Sequence, residues 1–301
     1  MPTIPYKNIY RADLEVIKGY RSGSTINKAY RSGELIYYKL NYPEPTPPGP
    51  EETPLTFNIL SPGTIQWKTN NSGLTRTIEC RKNEGNWTSI TSSTDGVSIS
   101  VDAGDTLQFR GNNAKYANSS SIYNHFDSTA EFTVEGNIMS LIDSTNFATA
   151  VTLTEAAAFC SLFKECSGLT SAENLVLPAT TLTEQCYRSL FDRTDITTAP
   201  KLPATTLATD CYRSMFFNCT GLTTAPELPA TTLTGNCYYM MFSGCTNLNY
   251  IKCLATNISA SNCTYFWVNG VSSTGTFVTP SSTNWGTGIS GIPSGWTRVD
   301  A

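Results

Sequence analysis

Residues 55–135 alternate apolar and polar side chains in short runs, separated by Gly, Asn, Asp and Pro. Seven runs have this alternation, which is typical of half-buried β-strands: TFNIL, TIQWK, TRTIECR, WTSI, VSISV, TLQFR and AEFTVE. Turn residues between them, such as Ser61-Pro62-Gly63, allow tight connections. The pattern predicts an immunoglobulin-like β-sandwich over residues 55–136, with Trp67 and Trp87 as core residues. The polar stretch SSSIYNHF is predicted to be a loop.

A long repeat follows this segment. The phrase LPATTLTEQCYRSLF begins at Leu177, and its near copies LPATTLATDCYRSMF and LPATTLTGNCYYMMF begin at Leu202 and Leu228, so the spacings are 25 and 26 residues. A degenerate copy lies at 153–169 and a weaker one at 254–267. Such periodicity indicates stacked coils. We predict a leucine-rich-repeat-like solenoid over residues 137–268, with a C-terminal cap over 269–301.

Positions that recur once per coil divide into two sets. Apolar positions are expected to stack inward, and in the two best-matched coils they are Leu182, Cys186, Leu190, Phe191, Ile196, Leu202, Leu207, Cys211, Met215, Phe216, Leu222 and Leu228. Threonine pairs at 180–181, 205–206 and 231–232 are expected to face outward. An outward stripe is also predicted at Tyr187, Arg188, Tyr212, Arg213, Tyr238 and Tyr239.

This stripe is the candidate ligand-contact surface. Aromatic faces and guanidinium groups offer rigid contact area and directed hydrogen-bond donors, which suit a sugar or a partner protein. A solvated stripe and a lateral contact to a neighbouring subunit remain open alternatives.

The N-terminal segment has a different composition. Residues 43–54 contain six prolines, which forbid helix and favour an extended spacer. Before it, residues 1–42 carry a net charge of +4, and short strand-like runs predict a small β module that is marginal without a partner. We predict that residues 1–42 are an assembly anchor. Its candidate contact residues are Lys7, Arg11, Lys18, Arg21, Lys28 and Arg31.

Composition narrows the function classes. The chain is 40% hydrophobic and only 15% charged, a balance more typical of β-rich extracellular or virion proteins than of cytosolic enzymes. Its net charge is −4, and the acidic body argues against general nucleic-acid binding. The first residues lack the pattern of a secretion signal, and no apolar run is long enough for a membrane span. We therefore expect no nucleic acid partner and no membrane insertion.

Few residues suggest chemistry. His125 is the single histidine, and no motif marks a serine that it would activate. Scattered acids form no recurring column of the kind that glycan hydrolysis would need. Nine of the ten cysteines follow the repeat spacing without a C-x-x-C motif, which favours reduced thiols packed in a core over a zinc site. We predict no catalytic, metal or cofactor-binding residue and no cofactor.

The coil read from Leu207 to Pro229, L-x-x-x-C-Y-x-x-M-F-x-x-C-T-x-L-T-T-A-P-x-L-P, resembles the BspA-type leucine-rich repeat. An aromatic, a cysteine three residues later and a leucine three further on match in three coils, at Phe163-Cys166-Leu169, Phe216-Cys219-Leu222 and Phe242-Cys245-Leu248. The coil at Phe191 departs from the pattern because residue 194 is Thr. Together with the ending GISGIPSGWTRVD, the chain is similar to proteins encoded by phages and prophages of gut Bacteroidales, which implies a virion fibre or host-surface binder.

The resulting hypothesis is a mainly β, multi-domain, non-enzymatic fibre or decoration protein of a virion, in the capsid or tail. Residues 1–42 would bind other virion structural proteins, and the sandwich and solenoid would bind a host-surface glycan or protein. A homo-oligomer assembled in the host cytoplasm is expected. The alternatives are a BspA-like adhesin on a bacterial cell surface and, more weakly, a glycan-degrading virion enzyme.

Overall fold

A computed structural model describes residues 29–31, 34–36 and 52–301 of the chain. The protein is mainly β, with 31% of its residues in strands and 3% in helix, as predicted. It divides into two compact units, residues 1–49 and 50–301. Of the six predicted contact residues of the anchor, Arg31 lies in the described ranges, where only its backbone is described. Lys7, Arg11, Lys18, Arg21 and Lys28 lie outside the described residues, as do spacer residues 43–51.

The first unit contains one described hairpin. Strands β1 (Ala29–Arg31) and β2 (Glu34–Ile36) pair antiparallel, with Tyr30 opposite Leu35. The short strands flank Ser32-Gly33, a dipeptide suited to a tight turn. The rest of the small β module predicted over residues 1–42 lies outside the described residues.

Two sheets form the first part of the second unit. Their strands are β3 (Leu55–Ile59), β4 (Gly63–Thr69), β5 (Thr77–Lys82), β6 (Thr88–Thr91), β7 (Val97–Val101), β8 (Thr106–Arg110), β9 (Ala117–Ser119), β10 (Ile122–Ser128) and β11 (Phe132–Asn137). One sheet has the order β7-β4-β10-β9, and β11-β3-β8-β5-β6 lie in the other. Pairings among these nine strands are antiparallel.

All seven predicted strands are present, but the loop predicted for SSSIYNHF is wrong. Most of that stretch is strand β10, which lies between β4 and β9. The apolar–polar alternation of a strand is not visible in this stretch, because a polar residue, Asn124, occupies an inward position and is fully buried. Its side chain accepts a hydrogen bond from the Ser92 hydroxyl at 2.5 Å and donates one to the Tyr116 carbonyl at 3.1 Å. These bonds offset the cost of burying an amide.

Aromatic rings fill the space between the two sheets. Phe57 and Phe109 from one sheet lie 4.9 and 4.8 Å from Phe126 of the other, measured between ring centroids. Trp67 is fully buried beside them, which confirms it as a core residue. Trp87 is only half-buried, so its predicted core position is wrong. It precedes β6, which lies at the edge of its sheet.

The rest of the unit contains few regular elements. They are two short 3-10 helices (Ile138–Leu141 and Phe147–Thr149), β12 (Leu169–Val176), β13 (Tyr250–Lys252), β14 (Thr276–Thr279) and β15 (Thr297–Asp300). Strand β12 joins the larger sheet parallel to β11, and β13-β14-β15 form a parallel sheet. Neither of these helices, the only ones in the described ranges, has the length and apolar character to cross a bilayer.

Successive repeat copies are stacked on one another by backbone hydrogen bonds. The N–H of Phe163 donates to the carbonyl of Leu190 at 3.0 Å, and that of Phe216 donates to Met241 at 3.0 Å. Each donor lies one copy before its acceptor. Residues 153–270, which make these contacts, are called the repeat stack below.

A four-residue period sets which side chains of the repeat stack face inward. Gln185, Ser189 and Arg193 have φ values of 57, 53 and 57°, and equivalent positions of the other copies also have positive φ. A left-handed residue at every fourth position produces consecutive tight turns instead of an extended strand. Two adjacent side chains are therefore buried in each period, as Leu190 and Phe191 are.

All the predicted inward positions of the repeat are buried, which confirms them as core. Phe163, Phe191, Phe216 and Phe242 form a column whose neighbouring centroids are 5.7, 5.6 and 5.6 Å apart, with nearly parallel rings. The threonine pairs at 180–181, 205–206 and 231–232 are exposed, as predicted.

The repeat stack and the two sheets share one core. Phe163 lies 5.9 Å from Phe57 and 5.7 Å from Phe126, so the phenylalanine column continues into the space between the sheets. Backbone bonds follow the same path, because the N–H of Phe126 donates to the carbonyl of Leu162 at 2.8 Å. At the other end, Trp267 stacks on Trp285 at 5.5 Å. The ranges 55–136 and 137–268 therefore belong to one continuous hydrophobic core.

Replacing Phe216 by alanine should lower the free energy of unfolding by about 3–5 kcal/mol, because a fully buried ring between two others is removed. Urea denaturation followed by tryptophan fluorescence measures this. Thr206→Ala in the same copy, where the side chain is exposed, should change the value by less than about 0.5 kcal/mol. Equal effects of the two substitutions would contradict the role of the phenylalanine column.

Candidate functional site

Half of the predicted outward stripe is buried. Tyr187, Tyr212 and Tyr238 are at most 2% exposed, so the expectation that they contact a ligand is wrong. They form a second ring column, with centroids 5.9 and 6.2 Å apart. Burial raises the pKa of each phenol well above its ordinary value. These tyrosines stabilise the stack instead of presenting a surface.

The error has a physical cause that the sequence partly reveals. The four-residue turn period buries two adjacent side chains in each period. Each tyrosine is the second residue of such a buried pair, and the first is Cys186, Cys211 or Cys237. The equivalent position of the preceding copy is Phe159, which stacks on Tyr187 at 6.0 Å. In the last copy it is Thr264, and Trp267, which belongs to the next inward pair of that copy, stacks on Tyr238 at 6.1 Å. An apolar ring in the degenerate copy was therefore a signal for an inward position.

The residue after each buried tyrosine lies at the surface. These residues form the outer column, which consists of Arg188, Arg213, Tyr239 and Tyr265. The Arg213 guanidinium carbon lies 4.1 Å from the centroid of the Tyr239 ring, and the Tyr239 and Tyr265 rings stack at 5.1 Å. Three predicted contact residues are thus brought together. Tyr265, which is 41% exposed, was missed because its copy has Thr264 in place of the buried tyrosine.

Backbone bonds fix the spacing of the outer column. The N–H of Ser189 donates to the Arg213 carbonyl, that of Ser214 to Tyr239 and that of Met240 to Tyr265, each at 2.9 Å. Neighbouring members therefore lie at the spacing of paired strands, about 4.8 Å. A planar cation is aligned with two aromatic faces along a rigid edge.

The two arginines of the column differ in their partners. Arg213 donates to the Asp210 carboxylate at 3.1 Å, which neutralises part of its charge. The Arg188 guanidinium makes no hydrogen bond or ion pair with any residue in the described part of the chain. Partial burial, followed by the repulsion of Arg213, lowers its pKa below the ordinary arginine value. Arg188 is thus a half-buried cation with no hydrogen-bonded counter-charge, and the Asp210 carboxylate that attracts it from a distance is bonded to Arg213.

A charged cluster lies farther along the same copy. Arg193 pairs with Glu165 and lies 5.7 Å from the Phe217 ring centroid. Asp192 is 6% exposed, and its oxygens come no nearer than 3.9 Å to the side-chain nitrogens of Lys164 and Arg193. Burial raises the Asp192 pKa to about 6, although both cations lower it. A carboxyl group with this pKa is partly protonated near neutral pH.

A third cluster surrounds Trp87 on the larger sheet. The guanidinium carbons of Arg81 and Arg110 lie 4.8 and 4.2 Å from the indole centroid. Both arginines have other partners, because Arg81 donates to Gln108 at 2.7 Å and Arg110 to Glu79 at 2.7 Å. The cluster is a paired surface network, and the sequence pattern did not indicate it.

His125 lies on β10 with an Nδ1 atom that has no hydrogen-bond partner in the described chain. Burial, reinforced by the nearby Lys68, lowers its pKa to about 4. The imidazole is consequently uncharged at neutral pH. Its ring packs against Tyr123 at 5.3 Å, so its neighbours give it a packing role.

All ten cysteines are buried with free thiol groups. Burial raises their pKa values, to about 12 for Cys186, Cys219, Cys237 and Cys253. Thiolate is the form that binds metals and reacts with disulfides, so burial suppresses both reactions. No cluster of three or more metal-ligating side chains occurs in the residues that the structure describes.

Comparison with protein-family models, with curated proteins and with solved structures finds no match to this chain.

We expect that all ten thiols resist a thiol-specific reagent in the native protein, because each is buried and has a raised pKa where a shift is resolved. After denaturation without reductant, ten equivalents should react. Spectrophotometric thiol counting in both states measures this. A count well below ten in denaturant would mean that disulfides had formed, against the packed-thiol arrangement.

Replacing Asp192 by asparagine should stabilise the protein above about pH 6. The raised pKa means that the folded state binds this proton more tightly than the unfolded state, so wild-type stability falls as the pH rises from about 4 through about 6. The Asp192→Asn variant does not lose stability over this pH range, and its unfolding free energy should equal that of the wild type at and below about pH 4. Unfolding free energies from pH 3 to pH 8 check this, with the exposed Asp195→Asn as the control. An equal advantage at every pH would contradict titration of Asp192.

Proposed function

We propose that the chain is a non-enzymatic fibre or decoration protein of a virion, which presents a host-binding surface. Its body would be an immunoglobulin-like sandwich that continues into a leucine-rich-repeat-like solenoid. The observation that carries the proposal is the outer column, where Arg188, Arg213, Tyr239 and Tyr265 are aligned on a rigid edge. Such an array provides directed donors and flat rings without chemical reactivity.

The shape of the core supports a presenting role. One ring column passes from the sheets into the repeat stack, and the stack gains a covering element at each end. Repeat arrays need such caps because each coil buries its apolar faces only against neighbours. A rigid body of this kind holds a surface patch in fixed geometry, which lowers the ordering cost of binding.

The chemical groups also favour binding over catalysis. His125 has a depressed pKa and packs against a ring, and the cysteine thiols are buried. Glu165 is engaged by Arg193, and Asp192 lies beneath the surface. We place the protein among binding proteins for these reasons, and we assign no cofactor.

Attachment is assigned to residues 1–42. The segment has a charge of +4 on a protein whose net charge is −4, and it belongs to a unit that separates from residues 50–301. A small basic module can gain burial and charge pairing from an acidic partner. Other virion structural proteins would be that partner, in a homo-oligomeric assembly. The alternative that the experiment must distinguish from this one is a location on a bacterial cell surface.

A chain lacking residues 1–42 should remain folded and lose incorporation into virions by at least about tenfold, because the second unit has its own core. Quantitative mass spectrometry of purified particles from cells that express either form measures this. The control is a full-length Arg193→Gln variant, which leaves the anchor intact. Normal copy number of the truncated form would contradict the anchor, and absence of the full-length protein from particles, with display on bacterial cells, would favour the adhesin.

A further inference from the structure

The outer column combines an unpaired cation with two aromatic faces. Arg188 makes no hydrogen bond or ion pair in the described chain and feels the Asp210 charge only from a distance, whereas its neighbour Arg213 is held by Asp210 and by the Tyr239 ring. The half-buried Arg188 guanidinium has lost part of its hydration without gaining a hydrogen-bonded counter-charge. An anionic group from outside the chain would supply the missing interaction.

The geometry points to a carboxylate as that group. A guanidinium presents parallel N–H donors whose spacing matches both oxygens of a carboxylate. Arg188 and Arg213 are in adjacent copies, about 4.8 Å apart along the stack, so one anion can reach both cations. Asp210, the acid nearest to the pair, is already occupied by Arg213 and is 8% exposed.

The aromatic members determine the rest of the ligand. Tyr239 and Tyr265 follow Arg213 along the same edge, and Tyr265 is 41% exposed. The four members span about 14 Å at the strand spacing, so the surface is long and narrow. The faces of the Tyr239 ring are covered by the Arg213 guanidinium and the Tyr265 ring, so a ligand can reach its edge and its hydroxyl group. The exposed Tyr265 also offers ring surface for the C–H face of a sugar.

We propose that the outer column binds an acidic polysaccharide of a bacterial surface, with a uronic acid carboxylate on Arg188, sugar hydroxyl groups on the Tyr239 phenol and a sugar ring against Tyr265. This proposal rests on the proposed host-binding function and names its ligand class. The protein body is acidic overall, so the column is a local exception that selects its ligand by charge complementarity.

The test uses the full-length chain and sodium polygalacturonate as the probe, with neutral dextran and dextran sulfate as comparisons. Isothermal titration calorimetry should detect polygalacturonate binding that is stronger than binding to either comparison. Arg188→Gln should weaken it by about tenfold or more, since a charge-assisted hydrogen bond is lost. Arg188→Lys should retain an intermediate affinity because it keeps the charge without the paired donors.

Arg193→Gln is the matched control. It removes the same charge from the same copy, but Arg193 is already paired with Glu165 and lies outside the outer column. It should leave polygalacturonate affinity within about twofold of the wild type. Thermal unfolding of each variant verifies that the fold is intact. Equal losses for Arg188→Gln and Arg193→Gln, or equal binding of dextran sulfate, would overturn the proposal in favour of nonspecific charge attraction.

A cell-binding assay distinguishes the acidic-ligand proposal from the broader proposal of host binding. Wild-type protein that binds the bacteria to which the virions adsorb, with Arg188→Gln binding equally well, would leave host binding standing and overturn the acidic ligand. Failure of the wild-type protein to bind those bacteria would overturn host binding itself. Loss of cell binding in the Arg188→Gln variant, with normal binding by the Arg193→Gln variant, supports both host binding and the acidic ligand.

Discussion

Backbone hydrogen bonds between successive repeat copies determine the spacing on which the rest of residues 153–270 depends. Backbone N–H groups of the left-handed turns donate hydrogen bonds to carbonyl groups of the next copy, as Phe163 does to Leu190 and Phe216 to Met241. The repeated bond holds equivalent residues in line, so identical side chains meet across copies. Ring columns form inside for this reason, and the same alignment produces the outer column at the surface.

The alignment has different consequences for apolar and charged residues. Parallel rings about 5.6–6.2 Å apart pack well and exclude water, so the inward columns add stability with each copy. Arginines in equivalent positions repel each other, as Arg188 and Arg213 do. Asp210 and the Tyr239 ring offset this repulsion at Arg213, whereas Arg188 makes no hydrogen bond or ion pair in the described chain. In this repeat stack, the cation without a hydrogen-bonded partner therefore lies on the outer column.

The joined core also limits how the parts of the second unit can behave. Phe163 contacts both Phe57 and Phe126, and β12 of the repeat segment extends the larger sheet. Because these contacts are buried and hydrogen-bonded, the sheets cover one end of the repeat stack and remove an exposed edge. The candidate surface is consequently held by the whole core and not by a loop.

The sequence by itself determined the periodic features, because regular spacing reflects local geometry that every copy shares. It predicted the mainly β class, the strands around Phe57 and Trp67, the inward column that includes Phe216, and the exposed threonines. It indicated the burial of Tyr187 only through Phe159 in the degenerate copy, because the orientation depends on a left-handed residue at every fourth position. Strand β10 was hidden by Asn124, whose burial requires hydrogen bonds from distant residues. That Arg188 lacks a hydrogen-bonded partner could be seen only in the folded chain, because the partners of a side chain depend on which copies lie beside it.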